Sequence, residues 1–434
     1  MKGLGTTIGL VVVLAALGAY IYFVPTKPAD QAETKEKAFT VKSEEIQELR
    51  IKAADGETTR IEMAGGRWRL VEPVQADADT NEVSAIITNL STLEVQRVIE
   101  EKPANLAEYG LEPARVDVAF RSRGETEFRH LLMGEKSPAG GDFYAKAPES
   151  PRVFLISPFL DNTFNRTAFD LREKAVLKYN REAVDTIDIA GRKNSFRFVK
   201  READWLMEKP YAARVEFSSI EGFLGALSTT QVQRFIDGDP GPLSKYGLDS
   251  PDFTVSVRGG GTSSQLLIGD LVTGTYYAKD AGRPGVFTLG SNFISEIEKD
   301  PGEFRRKNVF DSRSFSTTKA EFKRAAVTKV LTKSKGKDDA DVWQLDGRTV
   351  DTVKAEDPLM KFSNLRADVF QGQPHPSLKS PELTVTVTFD GRTETVVFAR
   401  AGADVYASRS DEPGSAKVPA AEYDTALKAL DDLK

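Results

Sequence analysis

Residues 67–73 read RWRLVEP and residues 204–210 read DWLMEKP, and these two stretches carry two of the three tryptophans in the chain. The third is Trp343, so 137 and 138 residues separate successive tryptophans. A constant long period of this kind indicates tandem copies of one structural unit. The spacing therefore predicts three repeats, each marked by one tryptophan.

The first two copies agree well beyond their tryptophans. The offset between matched segments falls from 137 to 135 and then 133 residues, as short loop deletions would produce. The matched segments are Val95-Gln96-Arg97 with Val232-Gln233-Arg234, Tyr109-Gly110-Leu111 with Tyr246-Gly247-Leu248, Leu132-Met133-Gly134 with Leu267-Ile268-Gly269, Tyr144-Ala145-Lys146 with Tyr277-Ala278-Lys279, and Val153-Phe154 with Val286-Phe287.

The third copy is degenerate. Residues 404–407 read DVYA and resemble the Tyr-Ala-Lys segment, but no Tyr-Gly-Leu follows Trp343. The corresponding loop, residues 371–377, reads QGQPHPS instead. We therefore expect the third repeat to keep the strands of the other two and to lose their signature loop.

One copy contains an amphipathic helix among alternating strands. Its apolar residues recur at i, i+3, i+4 and i+7, which predicts a helix with one buried face. A second helix is predicted to begin after Ser157-Pro158. The predicted order is β-β-α-β-β-β-β-α, an α+β class in which one or two helices cover an antiparallel sheet. The helical stripe is Val83, Ile86, Ile87 and Leu90 in the first copy and Ile220, Phe223, Leu224 and Leu227 in the second.

The N-terminus carries a membrane-anchor signal. Residues 3–24 contain no charged side chain, and 22 helical residues span roughly 33 Å, close to the thickness of a bilayer core. A cleaved signal peptide is the alternative, although cleavage near Gly18 would leave an exposed apolar and aromatic segment. Gly5 and Gly9 form a G-x-x-x-G pair that predicts close packing of a second transmembrane helix, although glycine is also common in such helices.

The amino-acid composition excludes several kinds of functional site. The chain has 434 residues, no cysteine, two histidines and a formal net charge of −6. Disulfides, cysteine-ligated metals and cysteine nucleophiles are therefore excluded, and no global basic charge points to nucleic acid. Gly134-Glu135-Lys136-Ser137 lacks the spacing of a phosphate-binding loop and reads as a turn after a strand. His130 reads as a surface or half-buried strand residue, and His375 as an exposed loop residue.

The signature residues have a structural interpretation that we favour over a ligand site. An aromatic anchor, a glycine at positive φ and a buried leucine are what a tight bend before a strand requires. The tryptophans are predicted to be core anchors, with sugar-stacking platforms as the alternative. These structural signature residues are Trp68, Tyr109, Gly110, Leu111, Gly134, Trp205, Tyr246, Gly247, Leu248, Gly269 and Trp343.

Together these residues resemble domain-of-unknown-function family 4340. The resemblance covers roughly residues 45–315. Members of that family are typically bacterial, carry one N-terminal membrane helix and are encoded beside ABC-transporter components of the gliding-motility type. The resemblance therefore implies an extracytoplasmic accessory subunit of such a transporter, and it carries over no catalytic residue. The residues that carry it are Trp68, Pro73, Tyr109-Gly110-Leu111, Pro113, Gly134, Tyr144 and Val153-Phe154, and their counterparts in the second copy.

The predicted organisation is a transmembrane anchor at 3–24, a linker at 25–44, and repeats at 45–180, 181–316 and 317–434. We predict a single-pass bacterial inner-membrane protein with a cytoplasmic N-terminus and a periplasmic body. Its predicted role is a non-catalytic scaffold that binds ABC-transporter membrane subunits without metal, cofactor or nucleic acid. The alternatives are a module that binds peptidoglycan or polysaccharide and, less favoured, an envelope hydrolase. A serine–histidine–acid triad is compatible with the composition, but neither histidine lies in a recognisable setting.

Overall fold

The computed structural model describes residues 36–138, 140–336 and 339–434. The predicted anchor at 3–24, with Gly5 and Gly9, lies outside the described residues. Among the residues that are described, no helix has both the length and the apolar character needed to cross a membrane. The chain divides into two compact units, one ending at Lys174 and the other running from Ala175 to Lys434. The first unit holds repeat 1, and the second holds repeats 2 and 3.

Repeat 1 is a nine-stranded antiparallel sheet in the order β4-β3-β2-β1-β6-β7-β8-β9-β5. Four strands precede its long helix and five follow it, so the predicted strand order was too short on both sides. Its elements are β1 (Ile46–Lys52), β2 (Thr58–Ala64), β3 (Arg67–Glu72), β4 (Ala76–Asp77), α1 (Thr80–Thr92), β5 (Arg97–Glu100), β6 (Val116–Ser122), β7 (Arg129–Lys136), β8 (Phe143–Lys146), β9 (Val153–Ile156), α2 (Phe159–Phe164) and α3 (Ala168–Leu171).

Repeat 2 has the same topology, with its nine strands in the equivalent order. Its elements are β10 (Val184–Ala190), β11 (Ser195–Arg201), β12 (Asp204–Lys209), β13 (Ala213–Arg214), α4 (Phe217–Thr229), β14 (Arg234–Ile236), β15 (Phe253–Gly259), β16 (Thr262–Val272), β17 (Thr275–Asp280), β18 (Val286–Gly290), α5 (Asn292–Ile297) and α6 (Pro301–Phe304).

Repeat 3 repeats the nine-stranded order once more and closes with a longer C-terminal helix. Its elements are β19 (Thr317–Arg324), β20 (Val327–Lys335), β21 (Asp341–Leu345), β22 (Arg348–Val350), α7 (Thr352–Ser363), β23 (Val369–Gln371), β24 (Leu383–Phe389), β25 (Arg392–Ala401), β26 (Asp404–Arg409), β27 (Ser415–Val418) and α8 (Ala420–Asp432).

The three sheets make the described protein mostly β, with few helices. In each repeat one sheet face packs against the long helix and forms the core. The predicted helical stripes of α1 and α4 are confirmed, since all eight of their residues are buried. Asp79 caps α1 by accepting hydrogen bonds from the backbone N–H groups of Asn81 and Glu82. The opposite sheet face, called the outer face below, carries the polar strand residues.

The linker is shorter than predicted. Residues 36–41 belong to repeat 1, because the Ala38 N–H donates to the Leu93 carbonyl at 2.8 Å and the Val95 N–H donates to the Glu36 carbonyl at 2.8 Å. The Phe39 ring is buried and meets the Phe120 ring edge-on, with centroids 5.0 Å apart. These six residues contain one aromatic side chain and show no periodic pattern, so the sequence predicted a solvated tether here.

The segment Gly134–Ser137 was also assigned wrongly as a turn after a strand. Gly134 lies inside β7, where the pairing with β8 shifts register between Met133 and Lys136. Gly269 lies at the same place in β16, where the register shifts between Ile268 and Leu271. A bulge at a glycine marks a site where another backbone approaches closely.

Candidate functional sites

The backbone that approaches each bulge is the Tyr-Gly-Leu loop. In repeat 2 the loop ends a short 3-10 turn, and Gly247 adopts φ 67°, a left-handed conformation that favours glycine. A Cβ atom added to Gly269 would lie 2.2 Å from the Tyr246 carbonyl oxygen. Repeat 1 has the same contact, since a Cβ on Gly134 would lie 1.9 Å from the Tyr109 carbonyl oxygen. In each repeat the loop that contains the first signature glycine (Gly110 or Gly247) therefore packs directly against the second one in the strand (Gly134 or Gly269).

Each signature tyrosine packs on the tyrosine of the Tyr-Ala-Lys strand. The Tyr109 and Tyr144 ring centroids are 5.0 Å apart, and those of Tyr246 and Tyr277 are 4.8 Å apart, with an interplanar angle of 69° in both pairs. Together with buried Leu248, the repeat 2 pair forms a second small core on the outer face. This arrangement is that of a packed loop rather than an open ligand site.

The tyrosine hydroxyls differ between the two repeats. The Tyr109 hydroxyl donates to Glu100 Oε2 at 2.6 Å, and this hydrogen bond is the main reason that the pKa of Tyr109 rises to about 12. The Tyr246 hydroxyl instead donates to the Pro240 carbonyl at 2.9 Å, and its side chain is buried. A phenol with a raised pKa stays protonated at neutral pH, so Tyr109 acts here as a hydrogen-bond donor.

Repeat 3 keeps the ring pair with a different residue. His375, expected in an exposed loop, is half-buried and stacks on Tyr406 with centroids 3.8 Å apart and an interplanar angle of 1°. Tyr406 occupies the β26 position that corresponds to Tyr277 in β17. The histidine also accepts from the Ser377 backbone N–H through Nδ1 at 3.3 Å. The degenerate loop thus retains the packing function of the signature.

The tryptophans are buried core residues with at most 7% exposure, namely Trp68, Trp205 and Trp343. His130 lies half-buried in β7, with Nδ1 2.9 Å from Asp117 Oδ1. Within the described ranges no group of three or more histidine or acidic side chains could hold a metal ion. Neither histidine has a serine and an acid arranged as a triad in the contacts of these ranges.

A feature that sequence reasoning missed is a short segment before each sheet, which we call the lead-in segment. Lead-in segments comprise residues 36–39, 175–177 and 307–310, and each pairs with the chain that follows the long helix of its repeat. Each buries one large apolar side chain: Phe39, Leu177 or Phe310. The sequence contains one signal of these segments, a Lys-x-Val pattern that recurs after 133 residues. It is Lys174 with Val176 in repeat 2 and Lys307 with Val309 in repeat 3.

One strand residue in each repeat holds the backbone just after the lead-in segment. Arg129 in β7 donates to the Thr40 carbonyl at 3.2 Å, and Ser264 in β16 donates to the Lys178 carbonyl at 2.7 Å. Glu394 occupies the equivalent position in β25, and its carboxylate accepts the backbone N–H groups of Asp311 and Ser312 at 2.9 and 2.8 Å. The three side chains differ in charge but bind the same part of the fold.

The second unit contains a buried ion network where repeat 2 continues into repeat 3. Glu412 accepts Arg214 Nε at 2.7 Å and Arg305 Nη2 at 2.7 Å, and the side chains of Glu412 and Arg305 are each only 4% exposed. Burial alone would raise the pKa of Glu412, but Arg214 and Arg305 outweigh it and hold that pKa below its usual range. The carboxylate is therefore ionised and fully paired.

Arg409 extends this network inside repeat 3. It donates to Glu394 Oε2 at 2.6 Å, to Asp411 Oδ2 at 2.7 Å and to the Val309 carbonyl at 2.9 Å. Burial would raise the pKa of Asp311 too, yet the nearby guanidinium groups of Arg214 and Arg409 keep that pKa low. Burying charged groups costs desolvation, which the mutual attraction and the hydrogen bonds of the network offset. Arg305 Nε is the exception in the network described here, since it is buried without a hydrogen-bond partner.

A small cleft lies beside the network. The Arg305 guanidinium sits 4.1 Å from the centroid of the Phe370 ring, and its cation–π contact closes one wall. Since Arg214, Arg305, Arg409 and Glu412, which line the cleft, are all held in ion pairs, the paired part of this arrangement joins two repeats.

The fold and these sites define a tandem array of nine-stranded antiparallel sheets, each completed by a lead-in segment and a packed ring pair. A protein-family model described as "Domain of unknown function (DUF4340)" matches residues 68–207 and 205–383. Since the two segments span well over half of the chain, the protein belongs to the DUF4340 family, as the signature residues predicted. A comparison with curated proteins finds no match.

Proposed function

We propose that the chain is a membrane-anchored, extracytoplasmic scaffold that binds membrane subunits of a gliding-motility-type ABC transporter. The observation that carries the proposal is the uncharged segment at residues 3–24, followed after a short connection by three α+β repeats. In this proposal the anchor spans the bacterial inner membrane once, with its N-terminus in the cytoplasm. The repeats lie in the periplasm and need no metal, cofactor or catalytic residue.

The connection between anchor and repeats supports a membrane-proximal role. The lead-in segment of repeat 1 begins at Glu36, so 11 residues, 25–35, follow the predicted anchor. Fully extended, that length reaches about 40 Å at most. Repeat 1 is thus confined near the bilayer, where a partner in the same membrane is within reach.

The sheets themselves suggest which surfaces bind. The edge strands are short, with two residues in β4 and four in β5. Short edges disfavour binding by strand addition, because they offer few backbone groups to a partner. Binding through the broad outer faces is therefore the better mode, and Gly5 and Gly9 add a second contact inside the membrane.

The envelope-polymer alternative receives less support. In the form that uses the signature aromatics it needs exposed rings, whereas Trp205 and Tyr246 are buried at 2% and 4% exposure. Buried rings cannot stack on sugars without local unfolding. The envelope hydrolase is less favoured still, because the carboxylates of the network described above are already paired.

Affinity purification from gently solubilised membranes tests the proposal. The expected result is co-purification of ABC-transporter membrane subunits with the full chain. Recovery of the protein alone after crosslinking would contradict the scaffold role. Recovery of freely soluble protein after osmotic shock would contradict the anchor.

A further inference from the structure

The outer face of repeat 1 carries four exposed cations on two of its strands, β1 and β3. Arg50 and Lys52 project from β1, and Arg67 and Arg69 project from β3. The strand register places Glu48, Glu62 and Arg69 opposite one another, so these side chains share a face. All four cations are exposed.

The equivalent positions of the other repeats provide an internal control, because the fold is the same and only the side chains change. Repeat 1 has four cations at these positions, repeat 2 has two acids and two neutral residues, and repeat 3 has one acid, one cation and two neutral residues. The sets are Arg50, Lys52, Arg67 and Arg69; Asp188, Ala190, Asp204 and Leu206; and Glu321, Lys323, Val342 and Gln344.

The acids on this face pair with three arginines. Glu48 is buried and accepts Arg60 Nε at 2.7 Å, Arg50 Nη2 at 3.4 Å and an Nη group of Arg121. Arg60 also pairs with Glu62 and Glu72. Of the four exposed cations, only Arg50 is therefore engaged by an acid.

The remaining cations are free to meet a partner. Over the described stretches of the chain, Lys52, Arg67 and Arg69 have no ion pair. Arg50 pairs with Glu48 at 3.4 Å, and its guanidinium carbon lies 4.2 Å from the centroid of the Phe128 ring. The sheet fixes the backbone positions of the three unpaired cations, which lowers the entropic cost of binding an anionic surface.

The location of repeat 1 identifies the anionic surface. Among the three repeats it alone directly follows the predicted anchor, with only residues 25–35 between them. Attraction to a charged bilayer decays over a Debye length of about 8–10 Å, so only a repeat held close to the bilayer benefits from basic side chains.

We propose that the outer face of repeat 1 binds the headgroups of anionic phospholipids in the membrane that holds the anchor. This inference rests on the proposed membrane attachment. The contact would orient repeat 1 with its β1–β3 face toward the bilayer. Repeats 2 and 3, which lack this set of cations, would make no such contact.

The test uses the full chain in nanodiscs of phosphatidylcholine alone or with about 30% phosphatidylglycerol. Because the chain has no cysteine, Thr58→Cys provides a unique fluorophore site on the outer face of repeat 1. Ser195→Cys provides the equivalent exposed site in repeat 2. A lipid with a nitroxide quencher on its headgroup, present in both kinds of disc, reports how close each site lies to the membrane surface.

We expect quenching at position 58 to rise about threefold when phosphatidylglycerol is present, and quenching at position 195 to stay unchanged. Adding Arg67→Gln and Arg69→Gln to the Thr58→Cys chain should abolish the rise, and these exposed side chains have little role in folding. A chain that co-elutes with the discs but shows no lipid-dependent quenching at position 58 would overturn this inference alone. A chain that does not co-elute would overturn the proposed anchor and this inference with it.

Discussion

Repeats 2 and 3 each bind the segment that precedes their sheet through the same hairpin, but the side chains that bind it have opposite charges. In repeat 2, Asp280 accepts the Lys178 N–H at 3.2 Å and pairs with Arg283 at 2.7 Å. In repeat 3 the equivalent positions are Arg409 and Glu412, so acid and base have exchanged places. The two repeats therefore share the geometry of this hairpin. Their charged side chains differ, and an acid in one repeat is replaced by a base in the other.

Among the changes that test this comparison, removal of the Glu394 carboxylate should lower the free energy of unfolding most. Glu394→Ala removes one of the two close carboxylates of buried Arg409 and leaves two backbone N–H groups unsatisfied, so we expect repeat 3 to lose about 3–5 kcal/mol of unfolding free energy. Ser264→Ala, the matched change in repeat 2, removes one neutral hydrogen bond and should cost about 0.5–1.5 kcal/mol. Urea unfolding followed by hydrogen exchange of each repeat measures both values. Equal losses would contradict the difference between the two sites.

The glycine bulge tests what the repeats share. Gly269→Ala places a Cβ against the Tyr246 carbonyl and should destabilise repeat 2 by about 1–3 kcal/mol. Gly222→Ala is the matched control, since Gly222 lies in α4 with open space around it and should gain about 0.5–1 kcal/mol. Thermal unfolding of both variants decides the point. A neutral Gly269→Ala would show that the loop does not press on the strand.

The ring pair of repeat 3 offers a smaller test. His375→Ala removes the stack on Tyr406 and should cost about 0.5–1.5 kcal/mol. His375→Phe keeps a ring at that position and should lose less. Chemical denaturation of the two variants separates ring packing from a role of the imidazole nitrogens. Equal losses in both variants would show that the nitrogen, not the ring, matters.

Acid should weaken the junction between repeats 2 and 3. The folded-state pKa values of Asp311 and Glu412 are lowered, so their stabilisation is present above the unfolded values near pH 4 and is lost as the pH falls through the folded values. Glu412→Gln should therefore flatten the dependence of unfolding on pH between about pH 5 and pH 3. Urea midpoints at several pH values check this. An unchanged slope would mean that the network does not titrate with unfolding.

The sequence predicted the features that recur at long range. The offset of Trp68 and Trp205 identified the repeats, and the stripe from Val83 to Leu90 identified the helix, because both patterns exceed chance over many residues. The positive φ at Gly110, 64°, likewise follows from a glycine placed between two apolar residues at a bend. Periodicity and turn chemistry predict such features without knowledge of the fold.

The features that the sequence did not predict depend on tertiary pairing. Ala38 pairs with Leu93, more than fifty residues away, and Phe39 packs on Phe120, so no local period marks this segment. His375 replaces the signature tyrosine from a different loop position, so alignment by residue type missed it. Glu394 reads as a solvated strand residue, and only the register of β24 and β25 shows that it lies beside the lead-in segment.

In vivo photo-crosslinking along residues 3–24 and along the outer face of repeat 1, read by mass spectrometry, tests the proposed scaffold most directly. The account predicts crosslinks to membrane subunits of an ABC-type transporter from positions near Gly5 and Gly9, and crosslinks to lipid from positions near Arg67. Crosslinks confined to the protein itself, or a protein that fractionates with soluble contents of the cell, would contradict it.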